Sequence, residues 1–309
     1  MSTEPTTWTL PPFGSLNGLR VIVTGANSGI GLEAARALAD RGASVTLACR
    51  NLEKASAARE QLLKTASGSV DIGKLDLSDL ASVETFATSI LEKESTLDLL
   101  INNAGIMGPP LTRTSDGIEL QFATNHLGHF ALTGRLLPLL SAAKAARVVT
   151  VSSNLHKGAV LDLEDLGSHK SYSGQKAYGR SKLANLLFAL ELDRRLRATS
   201  SPVASIGAHP GWSQSNLATN GPIAGKGQLS TILGSVASHL GQKSSNGALP
   251  TLYGALGADV EGGDYVGPSG LMELWGKPRK VEPSTTARDQ RLAAALFQKS
   301  EELTGVTFP

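Results

Sequence analysis

The chain has 309 residues, of which 41% are hydrophobic, with a formal net charge of +2 and one cysteine, Cys49. A lone cysteine excludes an intrachain disulfide framework, and the near-neutral balance of scattered Lys and Arg gives no electrostatic footprint for a nucleic-acid partner. No apolar run approaches the ~18 residues of a membrane span, and the opening stretch lacks the basic start and apolar core of a signal peptide, so a soluble, cytoplasmic protein is expected.

Residues 1–17 read as an irregular arm, because Pro5, Pro11 and Pro12 block regular structure. An apolar, β-branched run from Leu19 to Thr24 predicts a first strand that stops at Gly25. A helical pattern follows, with Leu32, Ala35, Leu38 and Ala39 on its apolar side. Further strands are expected at 43–50, 69–77, 97–105, 146–153, 202–211 and 263–267. Helical spacing covers 52–64, 78–94 with Ser78 as N-cap, 117–141, 175–198 and 285–303. This alternation predicts an α/β fold: a single doubly wound Rossmann-type domain over 1–309, with a mostly parallel sheet of about seven strands. The Gly-, Ser- and Asn-rich stretch 212–247 reads as a substrate-covering loop plus helix.

The most informative stretch is Leu19 to Arg41, a strand, a tight turn and a helix start. Glycine tolerates positive φ and lets a ligand approach the backbone, while the first N–H groups of a helix attract an anion. Gly25, Asn27, Ser28, Gly29, Ile30 and Gly31 therefore form a candidate pyrophosphate cradle. Its spacing is Gly-x-x-x-Gly-x-Gly, not the Gly-x-Gly-x-x-Gly of the ordinary dinucleotide fingerprint.

Tyr178 and Lys182 lie four apart on a predicted helix and so share a face. A neighbouring ammonium favours a phenolate and would pull the tyrosine pKa down. Ser153 ends the fifth strand, where its hydroxyl can bond a carbonyl or alcohol oxygen, and Ser152 is its rival on the opposite face. Tyr172 with Lys176 repeats the Tyr-x-x-x-Lys form within a segment that reads as loop.

Taken together, TGANSGIG (24–31), Asp76-Leu77, NNAG (102–105), Asn125, VSS (151–153), YGRSK (178–182) and HPG (209–211) resemble the short-chain dehydrogenase/reductase family. The likeness spans about 20 to 270. NHLGHFALT (125–133) and SKLANLLFALELDRRL (181–196) resemble its retinol dehydrogenase and protochlorophyllide reductase branch, in which long inserts like that at 154–177 occur. The resemblance implies Tyr178 as the acid–base group, Lys182 as the ribose-binding group that lowers its pKa, and Ser153 as the group orienting the substrate oxygen. It further implies that Asn125 holds a water in a proton relay, where a plain alternative is a polar side chain satisfying backbone. Asn103, Ala104 and Gly105 would line the adenine-ribose side, Asp76 and Leu77 the adenine, and Pro210 and Gly211 the nicotinamide.

An acidic residue ending the second strand would bond the ribose 2′-hydroxyl of NAD; here Cys49 holds that place and Arg50 follows, with Lys54 near, so NADP(H) is expected. No metal is expected: His126 and His129 lie three apart on a helix without a completing carboxylate and read as a polar pair near the helix surface or the substrate pocket. The expected partner is a small-molecule substrate, and the apolar residues of 106–111 (IMGPPL) with those after Gly211 favour a lipophilic one. A homo-oligomer is possible but not readable. Two other readings stay open: a catalytically silent NADP(H)-binding sensor or scaffold, and a reductase of a C=C bond.

Overall fold

A computed structural model describes residues 8–213 and 242–308. Arg20–Thr24 forms β1, whose Val21, Ile22 and Val23 are buried. At Gly25 the chain turns with φ +65°, and at Gly29 with φ +59°, conformations that favour glycine. The helix α1, Gly29–Ala39, buries Ile30, Ala34, Ala35 and Leu38 against the sheet. Burying a leucine side chain contributes roughly 1.5–3 kcal/mol, so Leu38 is a principal anchor of this helix.

The pattern repeats through β2 (Ser44–Cys49), α2 (Leu52–Leu62), β3 (Val70–Lys74), α3 (Leu80–Lys93) and β4 (Leu99–Asn102). Next come three continuous helical segments: α4 (Leu120–Phe122), a π-turn (Ala123–Leu127) and α5 (Gly128–Ala142). The second half adds β5 (Arg147–Val151), α6 (Gly174–Ala198), β6 (Ala204–Ala208), α7 (Ser244–Leu256), β7 (Tyr265–Pro268), β8 (Pro278–Lys280) and α8 (Gln290–Thr304).

One sheet holds the strands in the order β3-β2-β1-β4-β5-β6-β7-β8, parallel throughout except that β8 runs antiparallel to β7. Helices cover both faces. On one, α1 packs against α7; on the other, α3 packs against α5 and α6 against α8. Phe130, Phe188, Phe297 and Phe308 meet there with ring centroids 4.9–6.2 Å apart. The strand order reverses between β1 and β4, and a crevice opens beyond the carboxyl ends of these two strands, the usual ligand position in such sheets.

Several local expectations change. An eighth strand exists, because Val266, Gly267 and Pro268 pair with 278–280. Helix α3 is capped by Asp79, whose carboxylate accepts from Ala81 N–H at 3.0 Å, whereas Ser78 instead donates to Asp76. His126 and His129 are wholly buried rather than near the surface. Burial pushes both imidazoles down to about 3, so both are neutral. The expected substrate loop 212–247 falls largely on 214–241, outside the described residues.

Candidate active site

The crevice at the β1–β4 reversal has a volume of about 650 Å3. Its floor is the glycine turn. A side chain at Gly31 would collide with Asn103 Nδ2, so only glycine lets β4 and α1 close on each other. Ser28 sits at the head of α1 in extended conformation without capping it, which leaves the first helical N–H groups for an anion.

Thr24 fixes this floor. Its hydroxyl oxygen accepts from the N–H groups of Asn103 and Ala104, both at 2.9 Å, and lies 2.8 Å from His129 Nε2. His129 Nδ1 faces the Asn125 carbonyl at 2.9 Å and must donate to it. In a neutral imidazole Nε2 is then the acceptor, so the Thr24 hydroxyl donates to it. Neither residue is given a role in the sequence reading, where Thr24 opens the TGANSGIG motif and His129 belongs to the polar pair on the helix.

Of the residues assigned to cofactor binding, all but Gly211 line the crevice. Gly25, Asn27, Ser28, Gly29, Ile30 and Gly31 form one side, Asn103, Ala104 and Gly105 the other, and Arg50, Asp76 and Leu77 one end. Tyr178, Lys182 and Pro210 lie at the opposite end. Ala48, Lys54, Leu75, Ile106, Met107, Pro109, Leu120, Thr124, Val151 and Ser152 complete the wall. Arg50 is exposed, and its guanidinium has no partner among the described residues. Cys49 is buried, which pushes its thiol up to about 11, with the backbone of Ala26 and Asn27 opposing the rise.

Helix α6 carries Tyr178 and Lys182 on its inner face, 7% and 3% exposed. The Ser153 side chain lies near enough to the Tyr178 hydroxyl to favour its ionised form, and Lys182 Nζ lies 5.6 Å from the centre of the Tyr178 ring. Burial raises the phenol to about 12, with the serine opposing it. The lowering expected from Lys182 is not found: burial sets the direction, and only Ser153 opposes it. Burial also brings Lys182 down to about 8, and its Nζ donates to Val151 O at 2.9 Å. Ser152, the rival serine, also lines the crevice, but its hydroxyl is committed, donating to the Lys182 carbonyl at 2.7 Å.

Asn125 sits in the π-turn. Its Oδ1 accepts from Ile106 N–H at 2.8 Å, and its Nδ2 donates to Ile106 O at 3.0 Å and Ser181 Oγ at 2.9 Å. Both amide hydrogens are therefore spent on the protein. Ser153 and Asn125 do not themselves line the crevice; Ser153 reaches it through Tyr178. Tyr172, the alternative tyrosine, donates to Pro109 O at 2.5 Å and accepts from Gln121 Nε2 at 3.2 Å. Lys176 is exposed.

A sequence profile described as short chain dehydrogenase matches residues 20–222. The chain belongs to the short-chain dehydrogenase family. Members of this family are oxidoreductases, and the sheet order and turn described above are its fold. Among its relatives, human retinol dehydrogenase 13 is 38% identical over 304 residues, covering 97% of this chain and 88% of that protein. Human retinol dehydrogenase 12 is 41% identical over 294 residues, covering 94% and 88%. A crystal structure of an uncharacterized protein from Mycobacterium paratuberculosis shares 43% identity with a TM-score of 0.78, over 98% of this chain and all of that one. A short-chain dehydrogenase from Shigella flexneri, solved with NADP, shares the fold at 23% identity and a TM-score of 0.63, over 82% of this chain and 98% of that one. Among the described residues no helix is long and apolar enough to cross a membrane.

Proposed function

We propose that the chain acts as one dinucleotide-binding unit, an NADP(H)-dependent oxidoreductase that interconverts an alcohol and a carbonyl on a lipophilic small molecule. The observation that carries this reading is the placement of buried Tyr178 beside both Ser153 and Lys182, at the end of a crevice whose floor is a glycine turn suited to an anion.

The crevice suits the dinucleotide. Uncapped N–H groups at α1 and a close-packed glycine floor accommodate a pyrophosphate. At the far end no carboxylate ends β2, Cys49 is buried, and both Arg50 and Lys54 line the crevice. A planar guanidinium there favours a 2′-phosphate over a bare ribose hydroxyl.

The bound nicotinamide would supply or accept the hydride. In the carbonyl-reducing direction Tyr178 donates its phenolic proton to the substrate oxygen as negative charge develops there, and in the opposite direction it takes that proton back. Ser153 holds the same oxygen and orients the phenol. Lys182, anchored by Val151 O, would face the nicotinamide ribose and supply positive charge near the phenol. The committed donors of Asn125 support a positioning role for its side chain, tying Ile106 to Ser181 and so to the Tyr178 backbone, whose carbonyl accepts from Ser181 at 2.8 Å. Ile106, Met107, Pro109 and Leu120 make one wall apolar, which supports a lipophilic substrate. The names of the retinol dehydrogenase relatives point the same way.

The test is turnover of a panel of aldehydes and alcohols with NADPH and NADP+ by the wild-type protein and by Tyr178→Phe. Turnover by the first and none by the second is expected. A wild-type protein that binds NADPH but turns over nothing would favour a silent sensor or scaffold.

A further inference from the structure

Glu273 lies outside every motif used so far, on the loop between β7 and β8. It adopts φ +57°, and Met272 before it φ +51°, so two consecutive non-glycine residues occupy the left-handed region. Strained backbone of this kind persists only where its surroundings hold it. Here the holding contacts all lead to the catalytic end of the crevice.

One carboxylate oxygen of Glu273 takes two partners: Lys157 Nζ at 2.9 Å and His209 Nε2 at 3.0 Å. His209 is wholly buried at the end of β6. Its Nδ1 accepts from Gly211 N–H at 3.3 Å, so the ring proton sits on Nε2 and faces the carboxylate. The approach lies off the N–H axis, which makes it a close charge–dipole contact rather than an aligned hydrogen bond. The carboxylate is held far below its ordinary range, at about 2, chiefly by His209 and with help from Lys157. The backbone is seated as well. Asn154 Nδ2 donates to the carbonyls of Met272 and Glu273, both at 3.2 Å, and Trp212 N–H donates to Leu274 O at 2.8 Å.

These partners belong to two segments. Asn154 opens and Lys157 closes the short 3-10 turn Asn154–His156 that follows Ser153, in which His156 Nδ1 also lies 2.7 Å from the Ser153 carbonyl. His209, Gly211 and Trp212 flank Pro210, which lines the crevice. Gly267 leaves no room for drift, since a side chain there would collide with His209.

We infer that Glu273 is a positioning residue that clamps the Ser153 turn to the Pro210–Gly211 segment and so sets where the serine hydroxyl meets Tyr178. The inference rests on the function proposed above. The clamp acts through distance, and its effect therefore falls on the chemical step rather than on dinucleotide affinity. Since one oxygen serves both partners, glutamine can hold the same geometry.

The experiment is a double-mutant cycle on the full chain, read as kcat with octanal at saturating NADPH, together with NADPH Kd by fluorescence titration. Glu273→Ala is expected to lower kcat about tenfold or more and to leave the NADPH Kd within about threefold. Glu273→Gln should recover most of the loss. In a Ser153→Ala background, Glu273→Ala should have almost no further effect, because the group it positions is gone. Wild-type kcat in Glu273→Ala, or losses that multiply in the double variant, would overturn the inference. If Glu273→Ala does not fold, Lys157→Ala, at a half-exposed position, removes one arm of the clamp and is judged by the same criteria with a smaller loss. Tyr178→Phe runs alongside. If it stays active, or if the wild type turns over no aldehyde, the reading of the site fails and the clamp with it. A dead Tyr178→Phe beside an unaffected Glu273→Ala sinks the clamp alone.

Discussion

Thr24 Oγ1 and His129 Nε2 lie 2.8 Å apart in the buried interior, joining the end of β1 to helix α5. The hydroxyl donates to the imidazole and accepts two backbone N–H groups, so a single side chain of β1 satisfies two donors in the turn after β4 and one acceptor on α5. Replacing it by valine keeps the shape and removes every one of these bonds. Each polar group left without a partner costs about 1–3 kcal/mol when buried. Thr24→Val should therefore lower stability by about 2–4 kcal/mol in chemical denaturation and weaken NADPH binding, because Asn103 and Ala104 line the crevice. An unchanged midpoint would show that water replaces the hydroxyl.

The two tyrosines that share the Tyr-x-x-x-Lys spacing should separate cleanly. Tyr178→Phe removes the proton donor and should abolish turnover, with NADPH Kd nearly unchanged. Tyr172→Phe loses bonds to Pro109 and Gln121, so it should raise KM for the carbonyl substrate through the 106–109 wall while kcat survives. The reverse pattern would reassign the acid–base group.

At the other end of the crevice, Arg50→Ala should weaken NADPH more than NADH. A charge-assisted bond to a phosphate contributes about 1.5–3 kcal/mol, which is roughly tenfold to over a hundredfold in Kd. Equal losses for both cofactors would mean the guanidinium stacks on the adenine instead.

Lys182 makes a prediction about pH. Its folded pKa of about 8 lies below the ordinary 10.5, so the unfolded chain holds a proton that the folded chain releases between these values. Stability from this group thus rises with pH across that window, and below pH 8 the buried ammonium opposes folding in full, by at most about 3 kcal/mol. Lys182→Met should melt higher than wild type at pH 7, with the advantage fading between about pH 8 and 10.5. Val151 O keeps a donor in Asn185 at 3.0 Å, so the substitution strands no carbonyl. The same variant should lose catalysis. A lower melting temperature at pH 7 would refute the assignment.

A series of straight-chain aldehydes assayed with NADPH tests the lipophilic wall. Each buried methylene contributes about 0.8 kcal/mol, so kcat/KM should climb about threefold to fourfold per carbon until the wall is filled. A flat series, or preference for a short charged keto acid, would remove the lipophilic reading.

Much of this architecture was legible because its signals are local. The β1 run, the glycine turn and the apolar stripe of α1 lie within twenty-odd residues, and the spacing of Tyr178 and Lys182 is set by helix geometry alone. What was not legible depends on distant partners. Strand β8, Pro-Arg-Lys, has no apolar pattern and exists because Tyr265–Pro268 offers it an edge. Helix α7 contains Gly247, Pro250 and Gly254, which weaken any helical signal in its sequence, yet burial of Ala248, Leu252 and Tyr253 against α1 stabilises it. The histidine pair looked superficial because a polar side chain on a helix usually is, and only tertiary packing shows it enclosed. Glu273 meets His209 from 64 positions away, and no spacing rule anticipates that pairing.

The π-turn at Ala123–Leu127 behaves as one surplus residue wound into an otherwise regular helix. Each residue of a helix advances its facing by about 100°. Loss of one codon here would leave the buried stripe of α5 unaltered while rotating Glu119, Leu120 and Gln121 as a block, withdrawing Gln121 from the Gly108 N–H it accepts at 2.8 Å. Outside Asn125 and His126, whose side chains are committed, this stretch should consequently tolerate exchange of one residue type for another far better than any change in length. Tolerance of a one-residue deletion would make the surplus residue ornamental.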